Sequence, residues 1–243
     1  MKHTILGQLQ LSRLYYLLSA SLIIGGGILG TLLFEIIMRV ENAHSEEPTT
    51  FEMAFLIAAI CGLIVLFSSS MSGIGMSFNR TVGMSRTRKG FFIGYTISCF
   101  LNSCICGLSL LLVFLTEQWR LKTWWSAYPC ETNFGIIFKP AIFILMILLF
   151  TAAQELIGYL ILHFEKKAFW VLWALWMLGA IGIPRVMSDI EDQVDSPLAS
   201  FGLSFSRAIS GIPGIVRYIA GVAVVFLCIS ISYLGFRRQK VTA

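Results

Sequence analysis

The sequence predicts an all-α integral membrane protein: six transmembrane helices in one membrane domain over residues 1–243, with both termini cytoplasmic. Three observations predict it. Hydrophobic residues make up 57% of the chain and charged residues 13%, against about 45–50% and about 25% in soluble proteins. Six mostly apolar runs of roughly 20 residues follow one another, the length an α-helix needs to cross a hydrocarbon layer about 30 Å thick. Basic residues alternate from one side of these runs to the other in the manner of the positive-inside rule. A transmembrane barrel is excluded, because its strands alternate in polarity over about ten residues and these runs are unbroken. The connections are too short to hold a soluble domain of ordinary size.

The elements follow in order. Ile5, Leu6 and Leu9 lie within one helical turn of one another, while Gln8, Gln10, Ser12 and Arg13 are polar, which predicts a short interfacial helix before the first span. The N-terminal apolar run is longer than a usual signal-peptide core and lacks a nearby small-residue cleavage site, so this segment is read as retained. Span one runs from Leu14 to Met38, with Gly26 and Gly30 spaced for close helix packing and Glu35 four residues before Arg39, the geometry of a simple helical ion pair. Span two, Met53 to Met76, carries Ser69, Gly73 and Ser77 at four-residue spacing, again a packing pattern, with a flexible or polar pathway lining as the alternative. Span three runs from Phe91 to Leu115 and is followed by a Trp-rich external segment, Trp119 to Trp125.

Span four, Ile136 to Leu162, contains Gln154 and Glu155. An ionisable residue deep in a span is expensive and defaults to function; Glu155 is either a contact on a substrate pathway or a structural bridge between helices. Span five, Ala168 to Ile183, is the shortest, with Trp170, Trp173 and Trp176. In the long connection after it, Asp195-Ser196-Pro197 has the form of a helix start. Leu198, Phe201, Phe205, Ile209 and Ile212 follow at spacings of three and four, and Gly211 and Pro213 end the pattern. An external amphipathic helix lying on or dipping into the membrane is predicted here, as an interfacial cover or a gate. Span six runs from Arg217 to Phe236.

Lys2, Arg13, Arg80, Arg86, Arg88, Lys89, Lys166, Lys167, Arg237, Arg238 and Lys240 all fall on one side of a six-span topology, while Glu41, Glu46, Glu47, Glu52, Glu117, Glu131, Asp189, Glu191, Asp192 and Asp195 fall on the other. The first side is therefore cytoplasmic. Of the six cysteines, Cys61, Cys99, Cys104, Cys106 and Cys228 lie within spans and only Cys130 in a loop, so neither a disulfide framework nor a zinc spacing is present. No GxxxxGK[ST], HExxH or GxSxG motif occurs, no carboxylate pair sits inside a span, and His3, His44 and His163 are scattered. The chain is thus read as a non-enzyme with no metal or cofactor of its own. The basic stretch FNRTVGMSRTRKGFF is flanked by phenylalanines that open a span, so membrane topology explains it better than nucleic-acid binding does.

Within that stretch, Gly83-Met84-Ser85-Arg86, then Lys89, then Phe91-Phe92 at the mouth of a span resembles the G-x-S-R-x-x-x-F-F pattern of bacterial ABC transporter permeases of the type-2 exporter class, especially those of Gram-positive peptide and bacteriocin-immunity systems. Thr87-Arg88 and Gly90 depart from the strict pattern. The resemblance implies a permease in a bacterial cell membrane whose cytoplasmic loop, Arg80, Gly83, Met84, Ser85, Arg86, Arg88 and Lys89, docks on a separate ATPase subunit that binds ATP and Mg. It implies pairing with a second copy or a sister permease, contact with membrane lipid, and export of a peptide, drug or lipid. Ser85 suits a helix cap, and the arginines offer planar donors to carboxylates on a partner. Two other readings stand beside it: a non-transporting immunity factor or scaffold, and an ion-coupled transporter using Glu155.

Overall fold

A backbone without water must close its hydrogen bonds within its own segment, and the computed structural model obeys this throughout. It describes residues 2–41, 52–83, 88–125, 134–191 and 213–238, among which there is no strand. Helix α1 spans Lys2–Glu41, α2 Met53–Gly83, α3 Arg88–Trp124, α4 Pro140–Glu191 and α5 Gly214–Arg238, with a 3₁₀ turn at Phe134–Phe138 before α4. Pro140 opens α4 where its missing N–H costs nothing. Among the described residues, five helices are long and apolar enough to cross a membrane, over Arg13–Val40, Met53–Ser70, Lys89–Trp124, Pro140–Phe164 and Gly214–Arg237. Large apolar side chains such as Leu14, Ile28, Leu32, Leu63, Phe226 and Leu227 are exposed on the outside of the bundle. Exposure on that scale suits a multi-pass membrane protein and is rare on a soluble one.

Pairwise contacts give each helix its direction. Helix α2 runs antiparallel to α1, since Gly26 meets Cys61 and Gly30 meets Ala54. Helix α3 runs parallel to α1, with Tyr16 against Ser98, Ser19 against Asn102 and Glu35 against Arg120. Helix α4 returns antiparallel to α3, with Asn102 against Gln154 and Gly107 against Phe143. Helix α5 runs parallel to α4, because Gly221 abuts Leu145 and Gly235 abuts Tyr159. The starts of α1 and α3 and the end of α5 therefore share one end of the bundle, here the Lys89 end. Glu35, Glu52, Glu117 and Arg120 mark the other, the Glu117 end.

Three apolar clusters fill the interior. Phe34, Met38 and Leu121 pack at the Glu117 end. Ile23, Ala54, Ala58, Leu66, Cys106 and Val113 form the middle. Phe91, Phe92, Tyr95, Cys99 and Phe236 close the Lys89 end. The small residues at Gly26 and Gly30 do what their spacing predicts. A Cβ at Gly30 would lie 2.6 Å from the Ala54 Cα, and one at Gly26 would lie 2.7 Å from the Cys61 sulfur.

Two expectations differ from the structure. The predicted interfacial helix and span one are a single helix, α1. Predicted spans four and five are likewise continuous, since α4 runs unbroken past Lys166-Lys167 for 52 residues, roughly 78 Å at 1.5 Å per residue. The physical reason is local. From Leu162 to Trp170 the sequence holds no Gly or Pro, and a pair of lysines marks charge without ending a helix. The predicted external helix from Pro197 lies outside the described residues.

Candidate functional site

Apolar helices in lipid gain little by touching one another, so buried polar side chains carry much of the specificity of their packing. Asn102 of α3 is the hub of such a layer. Its Nδ2 donates to Ser69 Oγ of α2 and to Gln154 Oε1 of α4, each at 3.2 Å. Its Oδ1 accepts from Ser19 Oγ of α1 at 3.0 Å. Gln154 Nε2 donates onward to Ser103 Oγ at 2.7 Å, and the Tyr95 hydroxyl donates to the Gln154 carbonyl at 3.3 Å. One amide thereby ties four helices, with both its donors and its acceptor in use.

Glu155 is the next residue, and the helix turns it away from that layer. It is 0% exposed, and neither carboxylate oxygen has a hydrogen-bond partner. Thr96 of α3 sits beside it, yet the Thr96 hydroxyl is also buried without a partner in hydrogen-bonding geometry. Ser232 of α5, 0% exposed, is a third such group. The parallel register that sets Leu145 against Gly221 and Tyr159 against Gly235 brings Glu155 level with Ile231 and Ser232. Gln154 and Glu155, adjacent in sequence, thus serve different surroundings: the first is fully bonded and the second is not.

The Glu117 end is an ionic clasp that sequence reasoning did not find. The Glu117 carboxylate of α3 accepts the N–H groups of Ala54 and Phe55 at 2.7 Å each, so it caps α2, whose first-turn donors have no partner within the helix. Arg120 bonds Glu35 at 2.9 Å and stands 3.7 Å from Glu117. Glu35 therefore pairs across helices with Arg120, and not with Arg39 as its spacing suggested. Glu52 accepts from Gln118 and from the Phe134 N–H, the latter at 2.8 Å, and so holds the 3₁₀ turn against α2 and α3. The usable signal was a Glu and an Arg three residues apart, Glu117 and Arg120, at the end of an apolar run.

Among the described residues, two cavities border the bundle. One, of about 300 Å³, is almost wholly apolar and lies between α2, α3, α4 and the 3₁₀ turn, walled by Phe55, Leu63, Leu66, Phe138, Ile147 and Phe150. The other, of about 310 Å³, opens at the Lys89 end and is lined by Lys89, Phe92, Tyr233, Phe236 and Arg237. Of the predicted contact loop, Arg80 and Gly83 lie at the end of α2, and Arg88 and Lys89 at the start of α3. Met84, Ser85 and Arg86 lie outside the described residues, as do Leu198, Phe201, Phe205 and Ile209 of the predicted external helix. Cys61, Cys99, Cys104, Cys106 and Cys228 are free thiols. No protein-family model, curated protein or solved structure matches this chain.

Proposed function

We propose that this chain is the membrane-spanning permease subunit of an ATP-driven exporter of the type-2 ABC class, in a bacterial cell membrane. A separate ATPase subunit binds ATP and Mg, and the chain pairs with a second permease. The observation that carries the reading is one of place. The Gly83-Met84-Ser85-Arg86 run joins α2 to α3 at the end of the bundle where Lys89 and Arg237 line one cavity. Positive charge gathered there from two helices suits a carboxylate-bearing soluble partner. The apolar cavity between α2 and α4 supplies a wall for a hydrophobic or amphipathic substrate such as a peptide, drug or lipid.

The reading includes six membrane crossings with both termini cytoplasmic. It is supported by the parallel packing of α4 and α5. Two spans that run the same way require the chain between them to recross the bilayer. Between Phe164 and Gly214 the apolar stretch Ala168–Ile183 is the segment suited to do so. This reading requires a break near Lys166-Lys167 in the helix that is continuous in the structure, with the external helix from Pro197 following the fifth crossing.

The test is the pair of changes Ser85→Ala with Arg86→Lys, which preserves charge and removes a cap and a planar donor set. Orientation, checked by cysteine accessibility, should be unchanged. Co-purification with the ATPase and substrate-stimulated ATP hydrolysis should fall. Wild-type coupling in the double variant would return the loop to a purely topological role.

A further inference from the structure

Four of the buried side-chain oxygens without a partner belong to three residues: Glu155 Oε1 and Oε2, Thr96 Oγ1 and Ser232 Oγ. Their helices converge. On α3, Phe92, Tyr95, Thr96 and Cys99 share one face. On α4, Glu155, Tyr159 and Leu162 share another, and on α5, Ile229, Ser232, Tyr233 and Phe236 share a third. Members of all three faces pack in one cluster, which closes the site toward the Lys89 end.

We propose that Glu155, with Thr96 and Ser232, is a proton-binding site inside the bundle. An ionised carboxylate buried without a donor or a cation is not maintained in an apolar interior; it is neutralised. A protonated carboxyl has one O–H to donate and keeps acceptor capacity, and two hydroxyls that can each donate or accept are near at hand, Thr96 beside it and Ser232 level with it on α5. A metal ion fits poorly. Among the described residues no group of three His, Cys, Asp or Glu gathers, and four oxygens are fewer than hard divalent cations take.

The titratable groups around the site are consistent with a proton as its ligand. From α3 come Tyr95, whose hydroxyl is committed to the Gln154 carbonyl, and Cys99, which is buried. On α4 itself, Tyr159 and His163 follow one and two turns on. From α5 come Cys228 and Tyr233. Helix α2 presents Ser69 and Ser70 as its last described side chains. Lys89 and Arg237 line the cavity at the Lys89 end with Phe92, Tyr233 and Phe236, and among the described residues no cation forms an ion pair with Glu155. Burial between α3, α4 and α5 favours the neutral form of the carboxyl, and hydration would favour release of the proton.

The experiment uses the full-length protein in nanodiscs and dicyclohexylcarbodiimide, which modifies protonated carboxyls in apolar surroundings, with the site mapped by peptide mass spectrometry. The label is expected on Glu155 near neutral pH and should decline as pH rises. Glu117, equally buried but bonded to two N–H groups, is the internal control and stays unlabelled. Mapping the wild-type chain makes the result independent of whether Glu155→Gln folds. Thr96→Val and Ser232→Ala each take a hydroxyl away from the site and should move the midpoint of label loss by about one pH unit, a ten-fold change in the hold on the proton. Absence of label on Glu155 at every pH overturns the proposal. So does protection by sodium at constant pH, which would make the site a sodium site, and so does a midpoint that neither hydroxyl variant moves.

Discussion

Arg120 of α3 reaches across to Glu35 of α1 at 2.9 Å, with its guanidinium carbon 4.3 Å from the centre of the Phe34 ring. The arginine side chain is only 7% exposed, so its charge depends on these neighbours. Removing one member of a buried pair strands the other, whereas replacing both with apolar residues can be nearly neutral. Arg120→Leu should therefore destabilise the solubilised protein by about 3 kcal/mol, and Glu35→Leu/Arg120→Leu by about 1 kcal/mol. Thermal unfolding of the two singles and the double measures this. Additive losses would mean that the pair contributes no coupling.

Gly30 tests the close approach of α1 to α2. Its missing Cβ would lie 2.6 Å from the Cα of Ala54, a backbone atom that cannot rotate aside. Gly30→Ala should cost about 1–3 kcal/mol, the range for overpacking a filled interface. Gly25 has nothing within 4 Å of the same position, so Gly25→Ala should be neutral or slightly stabilising through helix propensity. Equal effects at the two sites would show that α1 does not seat on α2 through Gly30.

The polar layer makes a third case. Asn102→Leu removes the bonds to Ser19, Ser69 and Gln154 together. Interhelical hydrogen bonds in membrane proteins average roughly 0.6 kcal/mol each, so three lost bonds predict a loss of about 2 kcal/mol. Thermal unfolding in detergent should show it, with Ser69→Ala costing no more than a third as much. A neutral Asn102→Leu would mean that the layer is incidental to packing.

Much of this was legible in the sequence, and the reasons differ by residue. Gly26 and Gly30 were readable because four-residue spacing of small side chains has one dominant meaning on an apolar helix. The helix directions were readable because apolar length and alternating charge constrain them. Glu35 misled because Arg39 stands at ideal helical spacing, while its true partner is 85 residues away. Glu117 looked like an end charge, and only the packed bundle reveals that it caps another helix. Asn102 was missed: an amide inside an apolar run was the available signal, but its role as hub depends on which faces of four helices meet. Lys166-Lys167 was read as a loop because charge marks a boundary of polarity, yet helix formation is indifferent to that boundary.

The last prediction decides the path of the chain between α4 and α5. Both helices run from the Glu117 end toward the Lys89 end, and the chain beyond the candidate span Pro140–Phe164 of α4 must return to the start of α5. If Ala168–Ile183 crosses the bilayer, positions on its two sides face opposite compartments. Single cysteines at Lys139, Lys167, Asp189 and Arg237, introduced into a chain with its native cysteines replaced by serine or alanine, report this with a membrane-impermeant maleimide. Lys167 and Arg237 should be labelled only from the cytoplasmic face, and Lys139 and Asp189 only from the outer face. The two wild-type lysines at 166 and 167 favour the inner side, which makes the assignment of Lys167 the firmest of the four. Finding Asp189 on the same side as Lys167 would mean that the apolar stretch does not cross. In that case the 52-residue helix persists in the membrane-bound protein, and the recrossing must fall after Glu191.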